Sequence, residues 1–329
     1  MKHVVDNLDL VIIRSCQLSC QGCCTFSDHR EVKGLQDINE VATAIRHWSR
    51  YITPKRLILF GGEPTMNPKL IDWFRLAAEC WPKTWDGYDM PIWVNTNGYY
   101  IDKLFDHVDE LFAHGPNRLF LSVTHHTTTE PYYSLVLDNF NRLKDLILEA
   151  CVKRFPNMGL HWTTGTDWDG PDKEFHLLQD SSGTRNIVML SFTRQYETHF
   201  VSHYRGHGPG LRPWHDYNDE QALLDNHREC HIKNYVQIYD GKLWKCPPRA
   251  VLNHTLDTYG LGSDPAWKPY YQDYQSLDIS ASESSVDEWF SRQKSPEKTC
   301  NMCGFMYSRG DILPAQEHLP KKLFTLKNI

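Results

Sequence analysis

The chain lacks the features that would place it in a membrane, outside the cell or along a nucleic acid. No apolar run approaches the ~20 residues of a helical membrane span, so a membrane is not among the expected partners. No charged-then-apolar leader precedes the first strand pattern, so no signal peptide is expected and the protein is read as cytoplasmic. Lys and Arg form no block, and 35 of them against 41 Asp and Glu leave a net charge of −6. That balance argues against a broad face for duplex nucleic acid. There is neither an internal repeat nor a low-complexity tract. What remains, 40% hydrophobic and 23% charged over 329 residues, is an ordinary globular composition for one large or two modest domains.

Cysteine, by contrast, is plentiful. Ten cysteines without a secretory signal point to metal or redox use in a reducing compartment. They sort into Cys16, Cys20, Cys23 and Cys24; two lone residues, Cys80 and Cys151, on helical stretches where a small core side chain is the simplest reading; and Cys230, Cys246, Cys300 and Cys303. The first group reads C-Q-L-S-C-Q-G-C directly after the apolar run Leu8 to Ile13. Three thiolates so spaced can wrap a loop around one iron–sulfur cluster, which usually takes four. Three leave one iron open to bind and activate a ligand. Spacing alone also admits a zinc knuckle, but structural zinc wants four ligands, and Cys24 beside Cys23 would need strained geometry to be the fourth.

Strand patterns fall at Leu10–Arg14, Leu57–Phe60, Ile92–Asn95, Leu119–Val123, Leu160–Thr163 and Ile187–Phe192. Helical periods fall between them, at Asp37–Arg50, Pro68–Trp81, Ile101–Phe112 and Pro131–Phe155; Asp37 with Glu40 reads as a capping box. This alternation predicts parallel strands with right-handed crossovers, six units of a partial barrel whose chemistry sits at the C-terminal strand ends. The cysteine loop, Gly61-Gly62-Glu63-Pro64, Asn97-Gly98 and Ser122 all fall at those ends.

With CxxxCxxC after the first strand and GGEP after the second, the sequence resembles the radical S-adenosylmethionine (radical SAM) superfamily. Val94–Gly98 and Leu119–Val123 resemble that family's third and fourth strand ends. The resemblance runs in order through about the first 200 residues. It departs at Gly22, where most members carry an aromatic residue. It implies a [4Fe–4S] cluster on Cys16, Cys20 and Cys23 whose open iron chelates S-adenosylmethionine. Gly61, Gly62 and Glu63 are then expected to meet the amino group by their backbone. Asn97 and Ser122, and secondarily Thr163, are placed near the carboxylate or ribose. One electron would cleave the cofactor to a 5′-deoxyadenosyl radical, so the implied partners are a small-molecule substrate and an electron donor such as flavodoxin or ferredoxin.

Further along, Tyr235–Tyr239, the turn Asp240-Gly241 and Lys242–Lys245 predict a hairpin that carries Cys230 towards Cys246, with Cys300-x-x-Cys303 completing four ligands. Spacing alone suits zinc. Next to a radical SAM core it resembles the twitch domain, the short form of the SPASM domain, and implies an auxiliary [4Fe–4S] cluster. The arrangement also resembles a radical SAM aminoglycoside dehydrogenase.

The expected fold is therefore α/β: a partial (β/α)6 TIM-like barrel over 1–218, a small hairpin-plus-helix iron–sulfur domain over 219–310 and a tail over 311–329. His125 and His126 face the barrel mouth as structural histidines or as a proton acceptor. The polar, aromatic segment 193–217 is either a solvated linker or a substrate lid in which Arg194, Arg205 or Arg212 holds an anion. Residues 260–298 read as an insertion with short helices. The leading expectation is dehydrogenation, epimerisation or rearrangement of a sugar, nucleoside or amino-acid conjugate. A peptide-modifying maturase is a second reading, set back by the short segment before Cys16. A non-catalytic protein with two zinc sites is the third.

Overall fold

The computed structural model describes residues 2–304 apart from 21–22, 30, 85–86, 88, 114–117, 126–129, 168–169, 184–185, 194–202, 231 and 275. Gly22, His126, Arg194 and the tail 311–329 thus lie outside the described residues. The first half alternates as its apolar pattern predicts. In order come β1 (His3–Ile13), α1 (Ile38–Trp48), β2 (Ile52–Gly61), α2 (Leu70–Cys80), β3 (Ile92–Thr96), α3 (Val108–Ala113), β4 (Leu119–Thr124) and α4 (Tyr132–Arg154). Asp37 caps α1, though its carboxylate accepts from Asn39 N (3.0 Å), one residue earlier than a capping box requires.

β1 to β4 are parallel neighbours, as expected. The next two strands depart from expectation. β5 (His161–Asp167) runs antiparallel to β6 (Gly170–Gln179), which in turn runs antiparallel to β7 (Asn186–Thr193). The strand beside β4 is β7, paired in parallel. Leu160–Thr163 is therefore no barrel strand but the outer edge of a meander. β6 escaped the pattern because it opens Gly-Pro-Asp-Lys-Glu, a turn-like run.

The sixth parallel strand comes from the other end of the chain. After α5 (Glu220–Glu229), β8 (Tyr235–Tyr239) pairs in parallel with β1, and β9 (Lys242–Trp244) closes the hairpin. One nine-stranded sheet results, in the order β5-β6-β7-β4-β3-β2-β1-β8-β9. It is a mostly parallel, partial TIM-like barrel extended by antiparallel strands at both edges. The remaining helices are α6 (Pro247–Thr258), α7 (Lys268–Asp273) and α8 (Glu283–Gln293), so 260–298 does carry short helices.

Alternation along the strands makes two cores. Leu8, Leu10, Leu57, Leu59, Val94, Leu121 and Val123 face the helices in the main core, each burial contributing ~1.5–3 kcal/mol. α8 joins this layer through Val286, Trp289 and Phe290. Cys151 belongs to it and Cys80 packs against it, as expected of small core residues. On the opposite face, Val11 meets Phe26, Tyr204, Leu211, Val251, Leu256 and Trp267 in a second core that closes over the concave side of the sheet. Residues 193–217 were expected to be a linker or a lid. In their described part, Tyr204 and Leu211 are buried in this second core. No helix among the described residues is long and apolar enough to cross a membrane.

Candidate functional site

β1 ends at Ile13 and the chain turns into the cysteine loop, which stays tight. Cys23 N donates to Cys20 O (3.2 Å), and Phe26 N donates to Cys23 O (2.9 Å). Cys24 hydrogen-bonds to the neighbouring Cys23 thiol. Its thiol hydrogen bond, with help from Thr25 Oγ1 at 3.2 Å, draws the Cys23 thiol down from its ordinary value. The same bond and burial push Cys24 up.

The two glycines after β2 lie against this loop. A Cβ on Gly61, at φ 148°, would sit 2.0 Å from Ile13 O, and one on Gly62 would sit 2.2 Å from Ser15 O. Gly62 N donates to Ile13 O (2.8 Å) and Glu63 N to Ser15 O (2.9 Å). The close approach that the glycines permit is thus to the root of the cysteine loop.

Glu63 joins the cysteine loop to the end of β3. Its buried carboxylate accepts from Thr65 N (3.0 Å), Thr65 Oγ1 (2.5 Å), Thr96 Oγ1 (2.6 Å) and Asn97 N (2.8 Å). Burial raises its pKa despite these donors. The end of β3 is thereby fixed, and Asn97 with it. Asn97 Oδ1 accepts from Gln17 Nε2 (2.6 Å) and Tyr99 N (3.1 Å), and Tyr132 Oη donates to Asn97 O (2.8 Å). Asn97 Nδ2 lies 3.7 Å from Cys16 Sγ. Asn97 was expected at the site, and the structure brings it to the cysteine loop. Gln17, Thr96 and Tyr132 were missed. Gln17 lies inside the CxxxCxxC motif and could have been singled out on that ground. Nothing local marks Tyr132, the first residue of α4.

Ser122 on β4 faces away from the helices and accepts from Ser191 Oγ (3.1 Å), its partner across to β7. Asn95 is the neighbour of Ser122 on β3, so the three line one face. The other expected residues stand elsewhere. Thr163 Oγ1 donates to Gln179 Oε1 (2.9 Å) on β5, at the sheet edge beyond β6 and β7. His125 is buried among Tyr132, Tyr133 and Phe192, filling aromatic space at the end of β4. Arg205 gives its guanidinium to Trp214 O (2.6 Å) and Pro213 O (3.4 Å), and Arg212 pairs with Asp264 (3.2 Å). Both arginines therefore hold their own segment in place.

The second cysteine set assembles from three elements. Cys230 follows α5, Cys246 precedes α6, Cys300 lies within the short 3-10 turn Lys298–Met302 and Cys303 follows it. Asn226 Nδ2 clamps that turn by donating to Cys300 O (3.2 Å) and Cys303 O (2.9 Å). The four thiols are close enough to feel one another electrostatically. Burial pushes Cys230 up to about 11 and Cys246 to about 12, and raises Cys300 and Cys303 as well.

Among the described residues no three His, Cys, Asp or Glu side chains converge as they would on a single ion. A cluster spreads its iron over several atoms, so its ligands stand further apart than those of one zinc. Two compact sets of soft thiol donors fit such a group by chemistry and by loop placement. A depression of about 400 Å³ lined by Lys2, Val4, Thr53, Cys80 and Trp81 lies at the opposite, N-terminal end of the strands.

Residues 10–165 match the family model described as the Radical SAM superfamily. No curated protein matches the chain. Among solved structures, BtrN in complex with AdoMet and 2-DOIA is 13% identical, with 92% of this chain and 94% of that chain covered and a TM-score of 0.46. Native anSMEcpe with bound AdoMet and Cp18Cys peptide is 14% identical, with 44% of this chain covered and a TM-score of 0.32; the match spans 41% of that relative's length.

Proposed function

We propose that this chain, a member of the radical SAM superfamily through residues 10–165, cleaves S-adenosylmethionine reductively to oxidise, epimerise or rearrange a small polar substrate. In this reading Cys16, Cys20 and Cys23 would hold a [4Fe–4S] cluster, and Cys230, Cys246, Cys300 and Cys303 would hold a second within a unit over 219–310. Bound there, the first cluster and S-adenosylmethionine supply a carbon-centred radical able to abstract hydrogen from an unactivated C–H bond.

The protein's own contribution is positional. The observation that carries the reading is the Glu63 hub, which ties the end of β3 to the cysteine loop. Four donors saturate the carboxylate, so Thr96 and Asn97 cannot drift. Gln17 and Tyr132 then hold the Asn97 side chain and carbonyl beside Cys16. That is the preorganisation a ligand on an open iron needs. On the concave face, Ser122, Ser191 and Asn95 offer small hydrogen-bonding groups suited to a hydroxylated or amino-bearing substrate. The second core closes over part of this face and limits water there. The reductant in this reading is a small electron carrier of the flavodoxin or ferredoxin kind.

The test is anaerobic purification and reconstitution with iron and sulfide, then an iron count and an assay for 5′-deoxyadenosine with dithionite and S-adenosylmethionine. About eight irons per chain with 5′-deoxyadenosine formation is expected. About four irons with turnover would retain the radical chemistry and remove the second cluster. Zinc without cofactor cleavage would sink the proposal.

A further inference from the structure

The C-terminal cysteines keep unusual electrostatic company. Lys245, 3% exposed on its side chain, precedes Cys246 and acts electrostatically on Cys230, Cys246 and Cys300. Its ammonium donates to Gln293 O (3.0 Å) and Ser295 O (3.1 Å); Glu297 Oε1 is at 3.7 Å and belongs to a side chain 24% exposed. Arg249, fully buried one turn into α6, acts on Cys246. It donates to Asn253 Oδ1 (2.6 Å) and Tyr270 O (3.1 Å) and lies over the rings of Tyr274 and Trp244. Its Nε meets no acceptor among the described residues. A guanidinium stays charged at neutral pH even when buried. At Cys303, buried His203 places Nδ1 3.4 Å from the sulfur.

Burying cations is costly unless negative charge is nearby. Beside four neutral thiols, Lys245 and Arg249 share, among the described residues, the water-screened carboxylate of Glu297. An iron–sulfur cluster on four thiolates changes that balance, because it is negative and becomes one unit more so on reduction. Fixed positive charge in a low-dielectric surround stabilises the more negative state the more strongly, and hydrogen bonds to sulfur act in the same direction.

We propose that Lys245 and Arg249, aided by His203 at Cys303, raise the reduction potential of the auxiliary cluster and make it a one-electron acceptor. The inference rests on the reading of Cys230, Cys246, Cys300 and Cys303 as iron–sulfur ligands. A simpler role for Lys245, stapling residues 293–297 to β9, would leave the potential unmoved.

The experiment isolates the second cluster in the full chain by Cys16→Ala, Cys20→Ala and Cys23→Ala. The protein is reconstituted anaerobically, its iron counted, and its midpoint potential read by EPR-monitored titration. Added to that background, Lys245→Gln is expected to keep the iron, because Gln can still donate to the Gln293 and Ser295 carbonyls. It should lower the reduction equilibrium constant at least tenfold, a shift of about 59 mV to more negative potential for one electron. Lys245→Arg is expected to restore the parent value, and Arg249→Gln to shift it in the same direction as Lys245→Gln. Unchanged midpoints at full iron content in Lys245→Gln and Arg249→Gln would overturn the inference while leaving the cluster in place. Zinc or no metal in the triple-alanine background would instead overturn the auxiliary-cluster reading, and this inference with it.

Discussion

Asp9 sits in the middle of β1, 3% exposed, and among the described residues Gln237 Nε2 (2.6 Å) is its one side-chain donor. Burial outweighs that bond and the nearby Arg56 charge, lifting its pKa from 3.8 to about 7. A raised carboxyl stabilises the fold below its unfolded pKa, and that contribution is lost as pH rises through about 7. Relative to Asp9→Asn, the wild type should lose up to ~4 kcal/mol between pH 4 and pH 8. Urea midpoints of the two proteins across that range test this, and parallel pH profiles would refute it. Glu63 is the opposite case, a buried carboxylate with all its donors in place. Glu63→Gln sets an amide N–H against donors and should cost about 1–3 kcal/mol. With Asn97 loosened, 5′-deoxyadenosine formation should fall about tenfold or more at unchanged iron content. Iron analysis and product quantification separate this from simple unfolding. Glu63 is legible in the motif G-G-E-P, but its partners Thr96 and Asn97 are not, because they lie 33 and 34 positions further along the chain.

Among the elements, the turn after β2 is the least tolerant of change. A Cβ at Gly62 would lie 2.2 Å from Ser15 O and 2.6 Å from Arg14 O, both backbone atoms that cannot step aside cheaply. Gly62→Ala should cost at least ~2 kcal/mol and displace the cysteine loop. The readout is loss of the iron attributed to Cys16, Cys20 and Cys23, with the second set still filled; full iron retention would contradict it. α4 is tethered to the same region by the Tyr132 phenol. Tyr132→Phe should lose about 1 kcal/mol of stability and weaken S-adenosylmethionine binding. β1 to β4 and their helices are legible because each strand is a short apolar run buried on both faces. The β5-β6 meander is not. β6 begins with turn-forming residues, and a strand at the sheet edge needs no continuous apolar run.

At the scale of the whole molecule, the chain's two ends share one sheet. β8 pairs with β1 from Asn7↔Tyr235 to Leu10↔Ile238, and Trp48 Nε1 donates to Gly241 O (2.8 Å) in the hairpin turn. His3 stacks on Phe290 of α8 (4.1 Å). The sheet therefore runs across the division expected at residue 218. Unfolding followed by fluorescence and by circular dichroism should show one coincident transition, and two would contradict the shared sheet. Truncation after residue 218 should expose the β1 edge and yield aggregated protein on size exclusion.

The local order of residues was enough to single out the two cysteine groups, the glycine turn, the first four strand–helix units and the hairpin. Each of these depends on contacts within a few residues or on a periodicity that a short window carries. The parallel pairing of β8 with β1, the replacement of β5 by β7 beside β4, and the seating of Asn97 against Cys16 came from the folded arrangement. So did the partners of Thr163, Arg205 and Arg212, which are Gln179, the carbonyls of Pro213 and Trp214, and Asp264. Strand order and side-chain partners depend on which distant surfaces bury one another, and no local pattern encodes that choice.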